Sequence, residues 1–195
     1  MGAGNSVYYS SKISKSEKSP NIGVFNVRGC STNELKKGEI GKMTLKRRLD
    51  VYALSETKLK WRGDDRQVMF GEVWAEYRGW REGGRGKGSL RCVVKWKGVS
   101  SNLIWVRVKI ERERWVFIST YGPGGERSEE EIEKFWCELS ECAGRFGMNE
   151  SVVVLGTLNA REGNEVIGGI VGQHGVPERN ESGERLLEMR EKRGG

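Results

Sequence analysis

The chain has 195 residues; Lys and Arg outnumber Asp and Glu by 34 to 27, a net charge of +7, and 31% of residues are charged against 36% hydrophobic. That length allows one domain with a sizeable core. No apolar run approaches the roughly 20 residues of a membrane span, and the N-terminus lacks the apolar centre of a secretory signal, so the expectation is a soluble intracellular protein, nuclear or cytoplasmic, whose basic balance favours polyanion partners.

Residues 1–20 are rich in Ser and Lys without apolar periodicity and read as a flexible tail, leaving residues 21–195 for the domain. The start, Met1-Gly2-Ala3-Gly4-Asn5-Ser6, fits the N-myristoylation pattern at Gly2. Lys12, Lys15 and Lys18 would supply the electrostatic second signal that membrane contact needs. Ile22–Val27 is a short β-like run, and Glu34–Leu49 is a basic helical stretch weakened by Gly38 and Gly41. Val51–Leu54 and Val73–Trp80 are further strand candidates. The Gly/Arg-rich stretch from Gly79 to Gly88 is a turn or loop, either a solvated hairpin tip or a phosphate-contacting loop.

Leu90–Trp96, Leu103–Ile110 and Trp115–Thr120 read as strands. In the second, Ile104, Val106, Val108 and Ile110 alternate with Trp105, Arg107 and Lys109, the period of a sheet with one buried side. Ser128–Phe146 is the clearest helix. Ser128 and Glu131 make a capping box, and Ile132, Phe135, Trp136, Leu139 and Phe146 make an apolar stripe. Ser151–Leu155 reads as a strand covered on both faces, and Gly183–Arg193 as a last helix. The cysteines, Cys30, Cys92, Cys137 and Cys142, form no C-x-x-C pair and read as free, buried thiols of a reducing compartment; Cys137 and Cys142 share a helix on different faces. Strands separated by helices indicate a mixed α/β layered domain.

The residues just after each apolar strand carry the chemistry. Val24-Phe25 leads to Asn26, Tyr52-Ala53-Leu54 to Ser55-Glu56-Thr57-Lys58, Phe117-Ile118-Ser119-Thr120 to Tyr121-Gly122-Pro123, and Val153-Val154-Leu155 to Gly156-Thr157-Leu158-Asn159. Polar groups at strand ends on one edge of a layered α/β fold are where sites assemble. Taken singly, each has a plainer explanation: Glu56 as a solvated loop acid, Tyr121 as packing beside its Gly-Pro turn, Asn26 and Asn159 as turn-formers.

In order, Asn26-Val27-Arg28-Gly29, Ser55-Glu56-Thr57-Lys58-Leu59, Tyr121-Gly122-Pro123-Gly124 and Gly156-Thr157-Leu158-Asn159-Ala160-Arg161 resemble the motif series of the endonuclease/exonuclease/phosphatase superfamily. The endonuclease domains of LINE-type retrotransposons and craniofacial development protein 2-like sequences are the nearest kin suggested. Gly172-Gln173-His174-Gly175 and the stretch from Arg179 to Leu187 resemble the loop and helix that come next there, so that the resemblance covers about residues 22 to 189. It implies a four-layer α/β sandwich of the DNase I-like type and phosphodiester hydrolysis of DNA with Mg²⁺. Glu56 matches the metal-binding glutamate, with Asn26 helping to position metal and phosphate; a hard cation needs such oxygen ligands. Tyr121 matches the phosphate-bonding tyrosine, and Asn159 the asparagine of the G-D-x-N motif.

Two departures qualify that resemblance. Thr157 stands where the motif places its aspartate, and a neutral hydroxyl cannot do the acid–base work that commonly contributes about 10²–10⁴-fold. The family's late aspartate and Ser-Asp-His-like motif have no match before Gly195, and the one histidine, His174, stands elsewhere. The expectation is therefore a C-terminally truncated, weakly active or inactive DNA endonuclease of retrotransposon origin, marginally stable because a sheet edge is uncovered. The alternatives are a non-catalytic nucleic-acid-binding fragment, using basic residues interleaved with Trp61, Trp74, Trp80, Trp96 and Trp105, a mobile-element remnant with no selected function, and a small-molecule phosphatase.

Overall fold

The computed structural model describes residues 9–11, 20–27, 34–49, 51–55, 62–63, 67–70, 73–77, 91–110, 112–147, 149–164 and 177–194. Its strands are β1 (Tyr9–Ser11), β2 (Ile22–Asn26), β3 (Val51–Ser55), β4 (Arg62–Gly63), β5 (Gln67–Phe70), β6 (Val73–Tyr77), β7 (Arg91–Ser100), β8 (Leu103–Ile110), β9 (Glu113–Tyr121) and β10 (Glu150–Thr157). The helices are α1 (Glu34–Lys46), α2 (Glu129–Gly144) and α3 (Glu181–Gly194). None is long and apolar enough to cross a membrane among the described residues.

The strands form two five-stranded sheets, one in the order β1-β10-β9-β8-β7 and the other β2-β3-β6-β5-β4. Each sheet holds one parallel pair, β9 with β10 and β2 with β3, and its other pairings are antiparallel. A parallel pair needs a crossover; α2 supplies it in the first sheet and α1 in the second. Val51 and Ala53 of one sheet pack with Ile104, Val106, Val108, Trp115, Phe117, Val153 and Leu155 of the other. On the outer faces, α2 and α3 cover Leu103, Trp105, Val116, Ile118, Val152 and Val154, while Ile40 of α1 packs with Tyr52 and Leu54. The result is the expected four-layer sandwich, helix on sheet on sheet on helix.

Helix α2 is dictated by its own sequence. The Ser128 hydroxyl accepts from the Glu131 backbone N–H at 3.3 Å and the Glu131 carboxylate accepts from the Ser128 backbone N–H at 3.3 Å, closing the predicted box. Ile132, Phe135, Trp136, Leu139, Cys142 and Ala143 are buried along one stripe, each large apolar side chain contributing about 1.5–3 kcal/mol. Cys142 is buried as expected, whereas Cys137 is exposed rather than buried, because it lies on a different face of α2 from the apolar stripe.

Three further expectations change. The first sheet is not covered on one side only: Trp105 is 6% exposed, because α2 runs across that end of β8 and Phe146 packs edge-on against the indole with ring centroids 5.2 Å apart. Part of the N-terminal stretch read as a tail, Tyr9–Ser11, is a strand antiparallel to β10, pairing with Val152–Val154; backbone ladder bonds require no apolar period, so the side chains carried no sign of it. Helix α1 ends at Lys46 rather than Leu49, since Arg48 takes a left-handed φ of 53° and closes the helix there.

Candidate active site

Both parallel pairs end at the same place. Asn26 closes β2 beside Ser55, which closes β3; Tyr121 closes β9 beside Thr157, which closes β10. The two sheets are joined at this edge by a hydrogen bond of 3.1 Å between the buried Ser55 and Thr157 hydroxyls. The order Asn26–Ser55–Thr157–Tyr121 is thus a continuous arc across both sheets. Asn26 is exposed and Tyr121 half-buried, with the tyrosine packed on the inter-sheet core. Tyr121 also forms part of the wall of a cleft of about 500 Å³, between Asn102 and the start of α2.

Gly156 makes the last turn of β10 possible. Its φ is +139°, and a Cβ there would overlap the carbonyl oxygen of Thr120 on the adjoining strand. Only glycine allows so close a backbone approach. Beyond it, the Gly122 N–H donates to the Thr157 carbonyl at 2.7 Å. Asn159 takes a left-handed φ of 50°, which asparagine tolerates better than most residues. Its Nδ2 donates to the Gly122 carbonyl at 2.8 Å and so ties the turn after β10 to the turn after β9.

Asn159 is held in turn by Asn180, just before α3. Asn180 Nδ2 donates to the Asn159 carbonyl at 2.9 Å, and Asn180 Oδ1 accepts from the backbone N–H groups of Arg161 and Gly183, each at 2.9 Å. Ser55 and Asn180 were not among the predicted site residues. Ser55 had a signal, as the strand's last residue immediately before Glu56; Asn180 had one as an N-cap type of residue shortly before the predicted helix.

The structure therefore brings Tyr121, Thr157 and Asn159 together and sets Asn26 on the same edge. Glu56, the predicted metal ligand, lies outside the described residues, as do His174, Gly2 and the stretch from Gly79 to Gly88. Thr157, 4% exposed, is a neutral, buried hydroxyl bonded across the sheets. Among the described residues no group of three or more His, Cys, Asp or Glu could hold a metal ion. The described side chains of the arc are all neutral, so by themselves they do not fit a divalent cation, which calls for at least one carboxylate here. Trp96 and Trp105 serve packing, one against the inter-sheet core and one under the helix layer, not as platforms for bases. The exposed Cys137 thiol is pushed up by desolvation and then by the Glu133 carboxylate, 3.6 Å away, so it is no ready nucleophile.

No family model matches the chain. In sequence it is similar to craniofacial development protein 2 of Bos taurus, 25% identical over 175 residues, which cover 86% of this chain and 29% of that protein. The chain thus spans less than a third of that relative's length. In structure it is similar to the endonuclease domain of TRAS1, a telomere-specific non-LTR retrotransposon, with a TM-score of 0.59 at 13% identity over 90% of this chain and 73% of that one. A humanized D. rerio TDP2 gives a TM-score of 0.56 at 13% identity over 80% and 68% of the two chains. A beta hairpin deletion mutant of beta toxin from Staphylococcus aureus gives 0.57 at 12% over 88% and 72%. The fold is the DNase I-like four-layer sandwich.

Proposed function

We propose that this chain, built on the DNase I-like fold, is a DNA-directed nuclease-type protein whose hydrolytic step is impaired. The observation that carries the proposal is the arc of strand ends, in which Thr157 stands buried and neutral against Ser55. Asn26, Tyr121 and Asn159 would hold and orient a phosphodiester at this edge. Asn159, braced by Gly122 and Asn180, would offer a held amide dipole to negative charge developing on the phosphate oxygens. Glu56, directly after Ser55, would hold Mg²⁺ with Asn26, and the ion when bound supplies Lewis acidity at the phosphate. What the arc lacks is a carboxylate at position 157 to orient and deprotonate the attacking water, a loss of about 10²–10⁴-fold.

Nicking of supercoiled plasmid in the presence of Mg²⁺ tests this. The unaltered chain is expected to give trace nicking or none. Thr157→Asp should raise the rate by at least about 10-fold, and adding Glu56→Ala to it should remove the gain. Robust nicking by the unaltered chain, abolished by Glu56→Ala alone, would overturn the proposal of impaired hydrolysis. Retrotransposon descent is part of the same proposal, and the fold similarity with the TRAS1 endonuclease domain lends it support.

A further inference from the structure

The outer face of the first sheet changes character along its length. Where α2 and α3 lie on it, it is apolar; past Phe146 the strands β7, β8 and β9 carry cations instead. Residues directly opposed across a sheet share a face. Lys97 opposes Trp105, Lys95 opposes Arg107, Arg107 opposes Val116, and Lys109 opposes Arg114. Trp105 and Val116 belong to the helix-side core, so all these cations stand on the helix side of the sheet.

A bulge in β7 makes this arrangement. The register runs Val93 to Val108 and then Lys95 to Arg107, which leaves Val94 as an extra residue. Unbroken alternation from Val93 would turn Lys95 and Lys97 toward the inter-sheet core. The bulge reverses the phase, sending Trp96 inward and the two lysines outward beside Arg107.

These cations differ from the arginines around them. Arg127, Arg145, Arg161, Arg185 and Arg190 each meet a carboxylate. Arg107 faces both oxygens of Glu150, with Nε 2.7 Å from Oε1 and Nη2 donating to Oε2 at 3.0 Å. Lys95, Lys97, Lys109 and Arg114 are exposed and form no ion pair with a described residue. Two of the cross-strand oppositions, Lys95 with Arg107 and Lys109 with Arg114, set like charges face to face, which destabilises a sheet. Glu150, which Arg107 engages, also stands opposite Arg114 in the register of β9 with β10, so one carboxylate is shared between the two oppositions. Five cations, Lys95, Lys97, Arg107, Lys109 and Arg114, share this face with Glu150, and that surplus of positive charge points to an anionic ligand.

We propose that the outer face of β7, β8 and β9 is a docking surface for the phosphate backbone of DNA, separate from the strand-end site. This rests on the DNA-directed reading above and deepens it. From Lys97, opposite Trp105, to Lys109 is four residues of strand, about 13 Å, with β7 to β9 adding about 10 Å of width. One DNA strand carries a charge per about 3.4 Å of helix axis, so the stripe matches about four phosphates. The proposed contact is to phosphates, which a row of Lys and Arg neutralises as charges whatever the base sequence. The register sets Ile118, opposite Trp105, three residues before Tyr121, which puts the near end of the stripe about 10 Å along β9 from the strand-end arc.

Binding of a short labelled duplex, followed by fluorescence anisotropy across a salt series, tests the surface. Replacing all four residues, Lys95→Gln, Lys97→Gln, Lys109→Gln and Arg114→Gln, should reduce the slope of log affinity against log salt by about 3 to 4. Lys109→Glu alone turns a like-charge opposition into an attractive one, so it should hold or raise the Tm while reducing the slope by about 1 to 2. Lys42→Gln, an exposed cation on α1 at the other side of the sandwich, should leave the slope within about 0.5 of the starting value. Duplex binding with an unchanged slope in the four-residue variant overturns the surface and leaves the DNA-directed reading standing. Absence of salt-dependent duplex binding by the unaltered chain overturns both, as does retention on phosphatidylserine vesicles without retention on DNA.

Discussion

The two crossover units, β2–α1–β3 and β9–α2–β10, share one architecture and differ in how firmly their sequences specify it. In the second, β10 is eight residues long and every residue after the first is buried. Its helix has a complete capping box and a continuous buried stripe. In the first, β3 is five residues long, and α1 carries Gly38 and Gly41 in its interior, where each glycine costs about 1 kcal/mol relative to alanine. Its described core is Val27, Ile40, Tyr52 and Leu54, with Phe25 and Leu49 packed against it. The second unit is specified locally; the first is held in place by the sheet it packs on. The candidate site lies where the two meet, so its geometry depends on the weaker unit being held against the stronger.

The largest expected effect contrasts the two helices directly. Leu139→Ala should cost about 4 kcal/mol and Ile40→Ala about 2, because the larger cluster cannot close around the cavity and the smaller one can. Urea unfolding of both variants measures the gap; equal losses would show that the two units are equally well packed. Gly156→Ala is expected to cost about 3 kcal/mol, since a Cβ meets the Thr120 carbonyl and a φ of +139° disfavours any side chain. A loss below about 1 kcal/mol in the same measurement would mean that the turn out of β10 is freer than its register with β9 implies.

Asn159→Ala should cost about 2 kcal/mol, through the Gly122 carbonyl left without its donor and an unfavourable φ. Asn159→Gly retains the backbone conformation and should cost about 1 kcal/mol. Thermal melts of the pair separate the hydrogen bond from the backbone preference; equal shifts would assign the whole effect to the bond. The smallest effect is at the start of α2, where Ser128→Ala should cost about 1 kcal/mol by removing the cap. Amide exchange in the first turn of α2, faster in Ser128→Ala than in the unaltered chain, checks that the loss is local.

Much of the stronger unit is legible in the amino-acid order alone. The capping box from Ser128 to Glu131, the stripe from Ile132 to Leu139 and the unbroken apolar run of β10 are each set by neighbours a few residues apart. The polar residues at the strand ends are legible as a series, and Tyr121, Thr157 and Asn159 do stand together. Ser55 as the partner of Thr157, 102 residues away, is not, because a contact between two sheets has no period along the chain. The same holds for Asn180, which reaches Asn159 through a hydrogen bond spanning 21 residues.

By itself, then, the amino-acid order determined which segments become most of the strands and helices and which face of α2 is apolar. Those properties arise from side-chain chemistry at spacings of two to four residues. Only the tertiary structure decided that Tyr9–Ser11 adds an edge strand to β10, that Trp105 is covered by Phe146, and that a bulge at Val94 turns Lys95 and Lys97 outward. Each of these depends on a partner strand or helix far away in sequence, whose hydrogen bonds and packing outweigh the local preference.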